Sequence, residues 1–139
     1  MPWDFYKDLP DSMTQENVLR YFDELLILAH SQECVRPELA QILLELADRH
    51  WHTYKVMPPF YKDRIEGWIE ANWDSASLNK DFIEVIASIA GHLGLTNTLK
   101  LLENTLNRNV LRCDLQAVLR NEIEELRPHI SDPYSGVRH

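Results

Sequence analysis

The chain has few of the residues that favour sheet proteins and none of the motifs that mark common enzymes. Only four glycines occur in 139 residues, and runs of β-branched residues are scarce, which favours an all-α protein over a sheet protein. It contains no Gly-x-Ser-x-Gly, no phosphate-binding Gly-Lys-Ser/Thr loop and no His-Glu-x-x-His. The usual sequence signatures of serine hydrolases, nucleotide-binding proteins and zinc peptidases are therefore missing. An enzyme would need a site assembled from residues far apart in the sequence.

Cysteine, long apolar runs and positive charge are also in short supply. The spacing of Cys34 and Cys113 fits no metal or redox motif, so we expect reduced thiols in a cytoplasmic protein. Residues 1–13 lack the features of a signal peptide, and no apolar run reaches the length of a membrane span. The net charge of -8 argues against nucleic acid or an anionic membrane as the ligand. It is compatible with a basic protein partner, although acidity kept for solubility alone would look the same.

Apolar residues at helical spacing recur in separate segments of the sequence and are its strongest signal. The ordinary content of 45% hydrophobic and 26% charged residues argues against disorder. We predict a single all-α domain, with an ordered lead-in over residues 1–13 and a turn-rich C-terminal tail over residues 128–139. The predicted helices span about residues 14–30, 37–52, 59–73, 81–93, 96–106 and 114–126.

The clearest pair of helices lies between Asp81 and Leu106. Gly94 is placed to end the first helix in a left-handed conformation, and Thr96 is placed to cap the second, as Asp114 is for the last helix. So short a turn makes the two helices antiparallel, as in a helical hairpin or one repeat of an α-solenoid. A weak echo of apolar positions at an offset of 60 residues would divide the chain into two three-helix halves. The competing architecture is a closed helical bundle.

A row of carboxylates on the third predicted helix is the candidate binding surface. Its members are spaced three, four and four residues apart, which places them along one side of a helix: Asp63, Glu66, Glu70 and Asp74. Trp73 is the aromatic residue expected nearest the edge of this surface. Carboxylates beside an aromatic side chain can form a hot spot for Lys or Arg of a partner. An ordinary solvated helix face would show the same pattern.

The histidines give no comparable signal for metal binding or catalysis. His50 and His52 point in different directions if they lie on a helix, so they cannot form one ligand face. His92 is expected near the end of its helix, where it stabilises the negative end of the helix dipole. No His has a Glu three residues before it, as carboxylate-bridged di-iron bundles require. We therefore expect neither a metal nor another cofactor.

Two resemblances bear on the architecture and the function. IASIAGHLGLTNTLKLLENTL, residues 86–106, resembles the helix pairs of HEAT-like α-solenoids in its apolar spacing and its glycine turn. This favours a short HEAT- or armadillo-like solenoid of about six helices in antiparallel pairs. The chain as a whole is small, acidic and helical without a catalytic motif. In that general character it is similar to immunity proteins of bacterial toxin systems, such as those of contact-dependent growth inhibition.

The second resemblance implies a non-enzymatic cytoplasmic protein that neutralises a cognate toxin domain, often a basic nuclease, by covering its active site with an acidic surface. Glu66, Glu70 and Asp74 would then pair with Lys or Arg of the toxin, while Trp73 packs into its cleft. One alternative is an adaptor that scaffolds a larger assembly through exposed apolar helix faces. Another is an enzyme, which would need a deep pocket holding a carboxylate or histidine of perturbed pKa. The oligomeric state is left open.

Overall fold

Helices make up most of the chain that the computed structural model describes, which is residues 13–31, 36–53, 55–74, 78–128 and 130. No strand occurs within these ranges, so the all-α prediction is confirmed. Each predicted helix begins and ends within two residues of its observed bounds. The helices are α1 (Gln15–Ser31), α2 (Arg36–Trp51), α3 (Pro59–Asn72), α4 (Lys80–Leu93), α5 (Thr96–Arg108) and α6 (Cys113–Leu126).

Some sequence predictions lie outside the described residues. These are the packing of the lead-in up to residue 12, the state of Cys34 and the tail from residue 131 onwards. Within the described ranges, no helix combines the length and the apolar character needed to cross a bilayer.

Alternate helices pack side by side, which gives the molecule two layers. α1, α3 and α5 form one layer, while α2, α4 and α6 form the other, and the interface between α2 and α4 is the most extensive. The layers are joined by contacts of α1 with α2, α4 with α5, and α5 with α6. This is the stacking order of a short α-solenoid. Its period is two helices, whereas the 60-residue echo pairs helices from opposite layers and is not the structural repeat.

The predicted apolar stripes form the core between the two layers. Burying each large aliphatic side chain contributes about 1.5–3 kcal/mol to the free energy of folding, so this face holds the helices in place. Leu106 is the exception among the stripe residues of α5, since it is only half-buried. The buried residues of these stripes are Val18, Phe22, Leu25, Leu26, Leu39, Ile42, Leu43, Leu46, Ala47, Ile65, Trp68, Ile69, Phe82, Ile83, Ile86, Ile89, Ala90, Leu93, Leu99 and Leu102.

The turn between α4 and α5 forms as its glycine predicts. Gly94 has a φ of 69°, in the left-handed region, where a residue without a Cβ is favoured. Its amide and that of Leu95 both donate to the carbonyl oxygen of Ala90, at 2.9 and 3.0 Å. These bonds satisfy the end of α4 and fix the direction in which α5 leaves.

The starts of α5 and α6 correct two predictions. Thr96 does not cap α5, whose N-cap position makes no side-chain hydrogen bond. The backbone amide of Thr98 instead donates to Oε2 of Glu66, on α3, at 2.8 Å. Asp114 lies inside the first turn of α6, because the helix begins one residue earlier and Arg112 occupies its N-cap. A capping group brought from another helix cannot be recognised from local sequence.

Candidate functional site

The carboxylates predicted as a binding surface lie on α3 and just beyond its end, and they are used differently. Asp63, Glu70 and Asp74 are exposed, whereas Glu66 is half-buried. Oε2 of Glu66 accepts hydrogen bonds from the backbone amide of Thr98 at 2.8 Å and from its hydroxyl at 3.4 Å. A carboxylate is stabilised at a helix N-terminus by the unpaired amides and the positive end of the dipole. Glu66 therefore links α3 to α5 within the protein.

Trp73 is likewise held by the fold. Its indole Nε1 donates to Oγ1 of Thr105 at 2.8 Å, and its ring centroid lies 6.2 Å from that of Phe82. The side chain is half-buried. For Trp73 to enter the cleft of a partner, it would first have to give up this hydrogen bond, so its predicted role in binding stays a prediction.

A second acidic surface lies across the layer formed by α2, α4 and α6. Three shallow cavities of about 320, 280 and 340 Å³ follow one another there and share lining residues. Each helix contributes two carboxylates spaced three residues apart, and no lysine or arginine of the described chain lines these cavities. We call this surface the acidic groove and define it by its carboxylates, which are Glu45, Asp48, Asp81, Glu84, Glu122 and Glu125.

The helices that form the acidic groove run parallel. Asp48, in the last turn of α2, lies beside His92, in the last turn of α4, with Oδ1 and Nε2 3.6 Å apart. Gly91 faces Leu126 at the end of α6, where an added Cβ would lie 3.2 Å from Cδ2 of that leucine. The C-termini of all three helices therefore meet at one end of the groove. Each carries the partial negative charge of its helix dipole.

The α4–α6 side of the groove disfavours the ionised form of Glu122. Burial raises the pKa of Glu122 above its ordinary value, and the neighbouring carboxylates of Glu125 and Glu84 raise it further. On the α2 side, Glu45 is paired with Arg49, whose Nη1 lies 3.1 Å from Oε2 and whose side chain is buried. A positive group entering between α4 and α6 would relieve the repulsion that Glu122 experiences.

Ser88, His92 and Asp48 line the groove together and are the residue types of a nucleophilic triad. Nδ1 of His92 lies 2.7 Å from the carbonyl oxygen of Ser88, so this nitrogen donates to the backbone. Nε2 faces Asp48. The imidazole is thus anchored at the end of its own helix.

Within the described ranges, no three or more His, Cys, Asp or Glu side chains are grouped as metal ligands.

His50 and His52 point in different directions, as predicted. His52 is exposed, whereas His50 is 1% exposed. Nε2 of Gln15 lies 3.2 Å from Nε2 of His50 and also donates to the carbonyl oxygen of Val56 at 3.0 Å. Burial, together with the smaller effect of the positive charge of Lys62, lowers the pKa of His50 to about 4. A neutral His50 therefore joins the start of α1 to the end of α2.

Sequence reasoning missed the acidic groove because no single helix contributes more than two of its carboxylates. The residues at 81, 84, 88 and 92 on α4 have the same spacing as the row on α3, but only two of them are acidic. The pairs on α2, α4 and α6 become one surface only when these helices are known to be neighbours.

No protein-family model, curated protein or solved structure matches the chain. Function is therefore inferred from the shape and charge of the surfaces described above.

Proposed function

We propose that the protein is a non-enzymatic binding module that takes a basic segment of a partner protein into the acidic groove. The observation that carries this proposal is the groove itself, in which three parallel helices each supply two carboxylates. The net charge of -8 supports it, because opposite charge speeds encounter and disfavours acidic competitors. Burial and the neighbouring carboxylates raise the pKa of Glu122, and a cationic partner would stabilise its ionised form.

Neutralisation of a cognate basic toxin domain, such as a nuclease, inside a bacterial cell is the sharpest form of this proposal. A nuclease binds phosphates through Lys and Arg, so its active site is complementary to an acidic groove. The exposed carboxylates Asp63 and Glu70 belong to α3, in the opposite layer. The acidic groove and the α3 surface can therefore be tested separately.

The test compares two variants that lose the same charge from different layers. Glu84→Gln/Glu125→Gln alters the groove, while Asp63→Asn/Glu70→Gln alters α3. A partner is first captured from native lysate at low salt, identified, purified and tested for toxicity when expressed alone. Its Kd is then measured against each variant at low and high salt.

We expect the groove variant to lose about tenfold or more in affinity, with a shallower salt dependence, while the α3 variant binds as the wild type does. The opposite ranking would move the site to α3. Equal, salt-insensitive binding by all three proteins would contradict electrostatic recognition.

An adaptor function is the second candidate, and exposed apolar residues favour it. Val56 and Phe60 are 63% and 64% exposed; Phe60 lies in the first turn of α3, and Val56 lies in the segment just before the helix. An adaptor that uses them would bind in a salt-insensitive way. Val56→Ser/Phe60→Ser would abolish its binding, whereas the groove variant would retain it.

A further inference from the structure

The end of the acidic groove where the three helix C-termini meet holds its largest cavity, of about 340 Å³. We propose that this cavity is an anchor pocket for one arginine side chain of the basic partner. The inference rests on the proposed function and adds to it a specific position and a specific side chain. A volume near the lower end of the range for ligand pockets, about 300–1,000 Å³, suits one long side chain better than a large cofactor.

The shape of the pocket follows from small residues on α4. Ala87 and Gly91 line it, where larger side chains would take up the space. At Gly91 the packing of α4 against α6 is already close, because an added Cβ would lie 3.2 Å from Leu126. The pocket is thus open above α4 and walled on either side by α2 and α6.

The lining residues offer partners for the face and for the edge of a guanidinium group. Trp51 forms the α2 wall with its indole half-buried, and Glu122 and Glu125 form the α6 wall. A planar guanidinium can stack on an indole ring and donate bidentate hydrogen bonds to carboxylates at the same time. A lysine ammonium is a point charge and would gain the attraction to the carboxylates without the planar fit. The combination of walls therefore selects arginine.

The electrostatic field of the pocket favours a cation from two independent sources. The negative ends of three helix dipoles converge there, because α2, α4 and α6 end at Trp51, Leu93 and Leu126. The repulsion of Glu122 by Glu125 and Glu84 adds to this field. His92 is the one basic-type side chain lining the pocket, and it is tied to its own helix through Nδ1.

The test uses oligoarginine and oligolysine peptides of equal length and charge as probes of the intact protein, titrated by fluorescence anisotropy at low and moderate salt. We expect the wild type to bind oligoarginine about tenfold more tightly than oligolysine. Glu122→Gln/Glu125→Gln should remove most of that preference. Trp51→Leu should remove it while leaving oligolysine binding intact, and circular dichroism establishes that each variant is folded.

The outcomes separate this inference from the proposed function. Asp63→Asn/Glu70→Gln, with the same loss of charge in the other layer, should keep the arginine preference. Equal binding of the two peptides by the wild type would overturn the arginine pocket. If a Glu45→Gln/Glu84→Gln variant then lost that binding, the groove would remain the site that takes a basic segment. An arginine preference unchanged in Glu122→Gln/Glu125→Gln would also overturn it. Failure of both peptides to bind at any salt would overturn both proposals.

Discussion

Acid should destabilise this protein through His50 before its carboxylates protonate. The imidazole is 1% exposed, and its Nε2 accepts a hydrogen bond from the Gln15 side chain. Nδ1 is buried and has no hydrogen-bond partner in the described part of the chain. A second proton on this ring would face the amide donors of Gln15, and the resulting charge would be buried without an acceptor.

The size of the effect follows from the two pKa values. His50 has a pKa of about 4 in the folded protein, against 6.5 as its ordinary value. Between these values the unfolded chain binds more protons than the folded one, so the stability falls as the pH falls. Each pH unit inside this window removes about 1.4 kcal/mol, so lowering the pH to about 5 costs about 2 kcal/mol. The full window is worth about 3 kcal/mol.

The assay is urea unfolding at about pH 7 and pH 5 for the wild type and two histidine variants. His50→Gln removes the titrating group, so the loss between the two pH values should shrink by about 2 kcal/mol relative to the wild type. His52→Gln removes an exposed histidine two residues away and should keep the dependence of the wild type. The carboxylates contribute alike to all three proteins and cancel in the comparison. An equal loss of stability between about pH 7 and pH 5 in His50→Gln and in the wild type would show that His50 is not the source of the acid sensitivity.

Three further predictions concern α3 and the residue that follows it. Glu66→Ala should lower the free energy of unfolding by about 0.5–2 kcal/mol through loss of the cap on α5, while Glu70→Ala should change it little, both measured by urea denaturation. Gly67→Ala should raise the free energy of unfolding by about 0.5–1 kcal/mol, because Gly67 is mid-helix with nothing within 4 Å of an added Cβ. A lower Tm in this variant would contradict the prediction. Trp73→Phe should lower the free energy of unfolding by about 1 kcal/mol through loss of the hydrogen bond to Thr105, and loss of that cost in a Thr105→Val background would identify the bond as its source.

The helices could be predicted well because their signals are local. Apolar spacing defines each stripe, Gly94 ends α4, and Pro59 begins α3 at a position where a missing amide costs nothing. The layer order could not be predicted in the same way. It depends on which stripes pack against each other, and the 60-residue echo shows that stripes from opposite layers can look alike.

The candidate site was harder to predict than the fold for a related reason. A row of carboxylates on one helix can be recognised in the sequence, but the sequence does not show which of these side chains are hydrogen-bonded within the protein. Glu66 accepts a hydrogen bond from the amide of Thr98, and Trp73 donates one to the hydroxyl of Thr105. Both partners come from α5, more than 30 residues away in the sequence, so no local rule reveals them. The acidic groove shows the opposite case. Each helix carries only two of its carboxylates, and the six form one acidic surface only when α2, α4 and α6 pack as neighbours.

Stability offers a direct way to tell a binding groove from an acidic surface kept for solubility. The raised pKa of Glu122 means that the folded protein disfavours its ionised form, so this carboxylate lowers the stability of the free protein at neutral pH. Glu122→Gln should therefore raise the Tm of the free protein while weakening its affinity for a basic partner. Glu124→Gln removes the same charge from an exposed position on the same helix and should do neither. A residue that lowers the stability of the free protein and raises its affinity for a partner is typical of a functional site. If both variants change the Tm and the Kd alike, the acidity of α6 serves the surface as a whole and the groove loses its special role.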